Sequence, residues 1–280
     1  MNRDNYTIEI HSSEVDYPLP VEVLATDEDL YWHIVHSMYF SIEENSFNGL
    51  PTAMIVPVGP VFQYRRFVDL YRMRPIDLSG LRLFFMDEYM KDARTLVDRS
   101  DSLSFRGFID REFLEPLQAL GALAPEQLVF PDPERTTAYD EALAGLGNAH
   151  TCIAGVGITG HVAFNDPPEP GEHVSAAAFR SLPTRVVTLS RETVVINSNT
   201  AMRGAYDQIP RQAVTVGMRQ ILDSQRIRVY LNRPWQSAVV RRMLFDDPTP
   251  QFPVTLLRGH DDVRICMTHQ VAEKPDFMLR

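Results

Sequence analysis

Apolar positions along the chain fall into two alternating kinds of segment. Continuous apolar runs of strand length occupy residues 52–58 (TAMIVPV), 81–86 (LRLFFM), 150–156 (HTCIAGV), 184–189, 226–231 and 262–267. Residues 27–45 (DEDLYWHIVHSMYFSIEEN) instead carry an apolar stripe at helical spacing behind an acidic start, where carboxylates suit the helix dipole. Residues 61–71 (VFQYRRFVDLY) and about 104–120 also read as helix. Apolar strands alternating with helices predict an α/β fold: a doubly wound, mostly parallel sheet with helices on both faces. Residues 184–189 are expected as its fourth strand and 262–267 as the strand that closes it. No repeat or low-complexity stretch interrupts this pattern. The proline-rich piece 167–171 (PPEPG) is too short for a linker and reads as a surface loop able to act as a lid. Residues 1–280 are therefore expected to form one domain.

Composition narrows the function classes. The hydrophobic share of 44% and charged share of 23% are those of an ordinary globular protein. No apolar run reaches the length of a membrane span, and the polar, acidic start lacks the features of a secretory signal, so a cytoplasmic protein without a membrane partner is expected. A formal charge of −10 argues against nucleic acid as a partner. Cys152 and Cys266 both sit in apolar runs and read as core residues, not as a disulfide. Soft ligands are too scattered along the chain to suggest a structural zinc site, so no metal is expected.

In open parallel sheets ligands bind beyond the carboxyl ends of the strands. That rule singles out Gly59, Asp87, Thr159 and His161, each just after an apolar run. Asp87 and Glu88 are adjacent carboxylates at a strand end. Such a pair either caps the following helix or takes part in a site. The stretch GVGITGHVAFNDPP (155–168) is the most informative: closely spaced glycines let the backbone approach a ligand, and His161 is followed by Asn165 and Asp166. A histidine held by a carboxylate can serve as an acid or base near neutral pH.

The order MDEY (86–89), GVGITGHVAFNDP (155–167), AVTVGMRQILDS (213–224) resembles the glucosamine-6-phosphate deaminase/isomerase family over nearly the whole chain. The related 6-phosphogluconolactonases typically carry Asp-Glu-Arg in the first motif and Thr-Ala-Ser-Leu-Phe after the histidine. Asp87-Glu88-Tyr89 and Val162-Ala163-Phe164-Asn165 put this chain on the deaminase side. The resemblance implies that Asp87 is the base moving a proton between C1 and C2 of an open-chain sugar. It also implies that His161 helps to open the sugar ring, and that no cofactor is needed. It implies a sugar or sugar phosphate as the partner and a homo-oligomer as the assembly.

Departures from the family pattern fall on its functional positions. Its ring-opening aspartate is Thr159 here, and its glutamate is the shorter Asp166. The phosphate loop, roughly Pro-Thr-Gly-Gly-Thr-Pro in the family, is shortened to Pro57-Val58-Gly59-Pro60. A family arginine is replaced by Asn199 and a lysine by Trp235, with Arg233 close by. Arg185 matches a cation the family carries; Arg65, Arg66 and Arg180 are further candidates to take up the phosphate. The expected catalytic set is Asp87, His161, Asp166 and Thr159. Gly59, Pro60, Glu88, Gly157 and Gly160 are expected to line the substrate, together with Arg185, Asn199, Arg233 and Trp235. The activity expected is aldose–ketose isomerisation or deamination of an amino-sugar phosphate or analogue, with poor use of glucosamine 6-phosphate itself. The alternatives are an altered, unphosphorylated substrate, a non-catalytic sugar-binding module and, less favoured, a lactone hydrolase.

Overall fold

The structure, a computed structural model, describes residues 3–275. Its strands are β1 (Val21–Leu24), β2 (Thr52–Val56), β3 (Leu81–Phe85), β4 (Asp87–Met90), β5 (Leu128–Val129), β6 (Thr151–Ala154), β7 (Arg185–Thr188), β8 (Gln212–Thr215), β9 (Ile227–Leu231) and β10 (Val263–Thr268). The helices are α1 (Asp27–Phe47), α2 (Phe62–Met73), α3 (Phe105–Ile109), α4 (Glu115–Ala119), α5 (Thr136–Ala144), α6 (Ala176–Arg180), α7 (Arg191–Met202), α8 (Met218–Leu222), α9 (Gln236–Phe245) and α10 (His269–Ala272). Seven strands form one parallel sheet in the order β1-β10-β9-β6-β2-β3-β5. Side chains that alternate along its strands enter two different cores. Ala53 and Ile55 join one with α5, α8 and α9; Met54 and Val56 join the other with α1 and α2. Both faces are thus covered, which is why these strands read as unbroken apolar runs.

From β2 the chain passes to β3 on one side, whereas from β6 it passes to strands on the other side. The strand order therefore reverses between β2 and β6, and the loops after their carboxyl ends lie at the switch point where open parallel sheets bind ligands. Those loops are 57–60, where the Gly59–Pro60 peptide is cis, and 155–166.

Three strands stand apart. β4, β8 and β7 make a small antiparallel sheet beyond the end of β3. This corrects the expectation that residues 184–189 are the fourth strand of the parallel sheet. Residues 262–267 do not close that sheet either, because β1 pairs beyond β10 at the edge. The helix expected over 104–120 is present, but a π-helical stretch, Asp110–Leu114, separates α3 from α4. Cys152 and Cys266 are both free thiols, buried on opposite faces of the parallel sheet. Among the described residues no helix is long and apolar enough to cross a membrane.

Candidate active site

Only Met86 separates β3 from β4, so Asp87 opens the small sheet directly above the carboxyl end of the large one. Met86 is held by both: its N–H donates to the Val56 carbonyl (3.1 Å) and its carbonyl accepts from the Val216 N–H (2.7 Å). Asp87 pairs in register with Thr215, and Thr215 pairs with Arg185. Residues directly opposite across antiparallel strands share a face. Asp87, Thr215 and Arg185 therefore form one row.

Adjacent residues in a strand point to opposite faces, and Asp87 and Glu88 have opposite fates. Glu88 is 1% exposed, and its carboxylate accepts from the N–H groups of Tyr89 (2.9 Å), Phe105 (3.0 Å) and Arg106 (2.8 Å) and from the Ser104 hydroxyl (3.0 Å). It caps the start of α3, so its donors leave little for a ligand. The capping role and the free carboxylate that the sequence offered as alternatives are both present, one on each residue. Asp87 is 8% exposed and takes no hydrogen bond or ion pair from any described residue. Burial, reinforced by the Glu88 charge, pushes its carboxyl up to about 8.

The strand β6 ends in the glycine loop that carries the second group. A Cβ on Gly157 would lie 2.0 Å from the His161 ring, so glycine is what lets the imidazole pack against the backbone there. Gly160 has φ +79°, and a Cβ there would meet the Phe252 ring at 2.6 Å. The two glycines shape the loop around His161. His161 Nδ1 lies 2.9 Å from Asp166 Oδ1. The Thr159 hydroxyl lies 2.8 Å from that nitrogen and donates to Asp166 Oδ1 (2.9 Å). Thr193 donates to the same oxygen (2.7 Å), and the Ser190 N–H donates to Oδ2 (2.9 Å). Ser190 is the N-cap of α7, so the carboxylate also sits at the favourable end of that helix dipole. Burial works against the charge on Asp166, but His161 and these donors outweigh it and hold its carboxyl well below the usual range. With Nδ1 facing a carboxylate, the imidazole is held in one orientation, its Cε1–Nε2 edge against Gly157.

The two halves meet through Thr215 and Arg185. Phe164, in the loop after His161, donates its N–H to Thr215 Oγ1 (2.9 Å), and Arg185 donates to Asn165 Oδ1 (2.7 Å). The row containing Asp87 is thus packed against the His161 loop. Thr193 and Thr215, both fully buried, escaped sequence reasoning. The one available signal was the spacing Ser190-x-x-Thr193, which also describes an ordinary helix start.

The remaining expected binding residues lie on several other elements. Asn199 is exposed on α7 and lines an open pocket of about 490 Å³ with Arg191, Ser198 and Tyr206. Trp235 packs against the core on the α9 side. Arg65 pairs with Glu112 (2.9 Å), Arg66 with Glu28 (2.7 Å), and Arg180 donates to the Leu256 carbonyl (2.7 Å). Arg233 is exposed and lies near the Tyr31 hydroxyl. Gly59 is exposed and Pro60 half-buried at the turn into α2.

No protein-family model matches the chain. It is 26% identical to a glucosamine-6-phosphate deaminase of Mycoplasma mycoides over 232 residues, 82% of this chain and 86% of that one. It is 26% identical to the enzyme of the same name from Thermoanaerobacter sp. over 243 residues, covering 84% and 87%. Among solved structures it superposes on a monomeric glucosamine-6-phosphate deaminase of the NagB superfamily with a TM-score of 0.75 at 22% identity, covering 90% of this chain and 98% of that one. It superposes on the 6-phosphogluconolactonase of Trypanosoma brucei with a TM-score of 0.67 at 17% identity, covering 93% and 100%. The α/β fold with its mostly parallel sheet is that of these proteins.

Proposed function

We propose that this chain is an aldose–ketose isomerase/deaminase acting on an amino-sugar phosphate or a close analogue. The observation that carries the reading is Asp87: a buried carboxyl without a partner among the described residues, in a row packed against an oriented His161–Asp166 pair. In the proposed reaction His161 assists opening of the sugar ring at the ring oxygen. Asp87 then takes the C2 proton and returns it at C1. With an amino group on C2 this leaves an imine, which water converts to a ketose and ammonia. With a hydroxyl on C2 the same transfer yields the ketose directly. The similarity in sequence to glucosamine-6-phosphate deaminases supports this class of reaction.

Thr159 does not leave His161 without a carboxylate, because Asp166 supplies one at 2.9 Å. The phosphate end is the more altered part. Arg65 and Arg66 are engaged by carboxylates, Arg180 is bonded to a carbonyl, and Asn199 and Trp235 bring no charge. Those pairings favour, as a second reading, a substrate without a phosphate. The test is to assay ammonia release and aldose–ketose exchange on matched phosphorylated and free amino sugars, with Asp87→Asn as control. Turnover of either series that is lost in Asp87→Asn supports the reading. Turnover unchanged in the variant, or none with any sugar, overturns it.

A further inference from the structure

Glu22, Cys266 and Tyr230 stand side by side on β1, β10 and β9, in register on the sheet face that α1 covers. His33 of α1 comes down over this row. Its Nε2 lies 3.3 Å from Glu22 Oε2, and its Nδ1 lies 3.0 Å from the Tyr230 hydroxyl. Cys266 Sγ lies 3.9 Å from the same Glu22 oxygen. One ligand atom from each of Glu22, His33 and Cys266 falls within 4.8 Å of the other two.

We propose that Glu22, His33 and Cys266 form a binding site for a zinc-class divalent ion. The donor set is one thiolate, one imidazole and one carboxylate, which suits zinc and leaves a fourth tetrahedral position for water. The spacing agrees with that geometry. Nitrogen and oxygen ligands at about 2.0–2.1 Å around a tetrahedral centre lie about 3.3 Å apart, and sulfur and oxygen about 3.5 Å apart. The Nε2–Oε2 separation already has the first value, and the Sγ–Oε2 separation exceeds the second by only a few tenths of an ångström. The Tyr230 hydroxyl at Nδ1 supplies the outer hydrogen bond that orients a metal-bound histidine and leaves Nε2 for the ion. Glu22 and His33 are half-buried, which gives an ion a path from solvent, while Cys266 lies beneath them. Arg264 and Arg228, the nearest cations on the same strands, are paired with Glu14 (2.6 Å) and Asp262 (2.7 Å), so their charge is largely offset. The three ligands come from residues 22, 33 and 266, a separation that hides the cluster from any reading of spacing along the chain.

The bound ion would tie the edge strand β1 and the helix α1 to the sheet. The site lies apart from Asp87 and His161 and does not depend on the proposed reaction.

The test titrates the purified full chain with cobalt(II) alone and then displaces it with zinc. The expected result is one cobalt per chain, with a thiolate-to-cobalt absorption band in the near ultraviolet and a rise in Tm with zinc. Both are lost in Cys266→Ser and kept in Cys152→Ser, whose thiol lies on the other face. Tyr230→Phe should weaken binding about tenfold. Should Cys266→Ser fail to fold by circular dichroism, Glu22→Gln and His33→Ala serve in its place, each expected to weaken cobalt binding at least tenfold. Absence of a saturable band, a band surviving in Cys266→Ser, or affinity unchanged in the other two variants overturns the site.

Discussion

Asp87 is held in a place where its charged form is poorly solvated, and that has consequences for both rate and stability. A base must be ionised to accept a proton, and the carboxyl here ionises only at about 8. The pH profile of kcat/KM should therefore rise through neutral pH and level off above about 8. A flat profile between about pH 6 and 9 would put the base elsewhere. The stability effect runs the other way. The folded-state carboxyl is raised above its unfolded value, so its contribution is fully present below about pH 4 and is lost as pH rises through about 8. Asp87→Asn fills the same volume and cannot ionise. It should abolish turnover while stabilising the fold at pH 8 by about 5 kcal/mol relative to the parent, with little difference at pH 4, as read by urea unfolding. Asp87 and His161 were legible as candidates because each follows an apolar run within a distinctive motif. Thr193 was not, because a hydroxyl in the first turn of a helix has the same appearance whether it satisfies its own helix or a carboxylate elsewhere.

At the scale of the element, the Glu88 carboxylate ties the small sheet β4-β8-β7 to the start of α3 by hydrogen bonds, beside the Tyr89–Phe105 ring contact. Glu88 accepts three backbone N–H groups and a hydroxyl there. An amide in its place turns an NH₂ group toward donors. Glu88→Gln should therefore cost about 2–4 kcal/mol of stability, measured by denaturant unfolding. Because the Glu88 charge helps to raise Asp87, the same variant should move the rising limb of the pH profile to lower pH. Loss of stability without that shift would mean that Asp87 is governed by burial alone. The sequence gives little warning of this sheet. β4 (DEYM) and β8 (QAVT) are short and carry no sustained alternation. Residues 184–189 read correctly as a strand, but apolar pattern does not say which neighbour a strand will pair with.

For the whole molecule, the fold class follows from the near-continuous apolar runs, which only a sheet buried on both faces requires. What escaped was the periphery. β1 is an edge strand that alternates (VEVL), and β5 is two residues long. The net charge of −10 acts at this scale as well. It repels an anionic substrate at long range, and screening shortens from about 30 Å to about 8 Å as ionic strength rises from about 10 mM to about 150 mM. If a phosphorylated sugar is turned over, its kcat/KM should rise across that range, while that of the matching free sugar stays nearly constant. A fall for the phosphorylated sugar would show that local cations, Arg233 or Arg185 among them, dominate its approach.

Met86 is bonded on one side to Val56 of the large sheet and on the other to Val216 at the end of β8. It is therefore a pivot, with the two sheets as its arms. Asp87 and Arg185 ride on one arm, while His161 hangs from the other and reaches across through Phe164 and Asn165. The separation of Asp87 and His161, the two groups proposed to react, is then set by the angle between the sheets more than by any single rotamer. A bulkier residue wedged into that joint would detune the proposed site from a distance, leaving Asp87, His161 and Asp166 themselves intact.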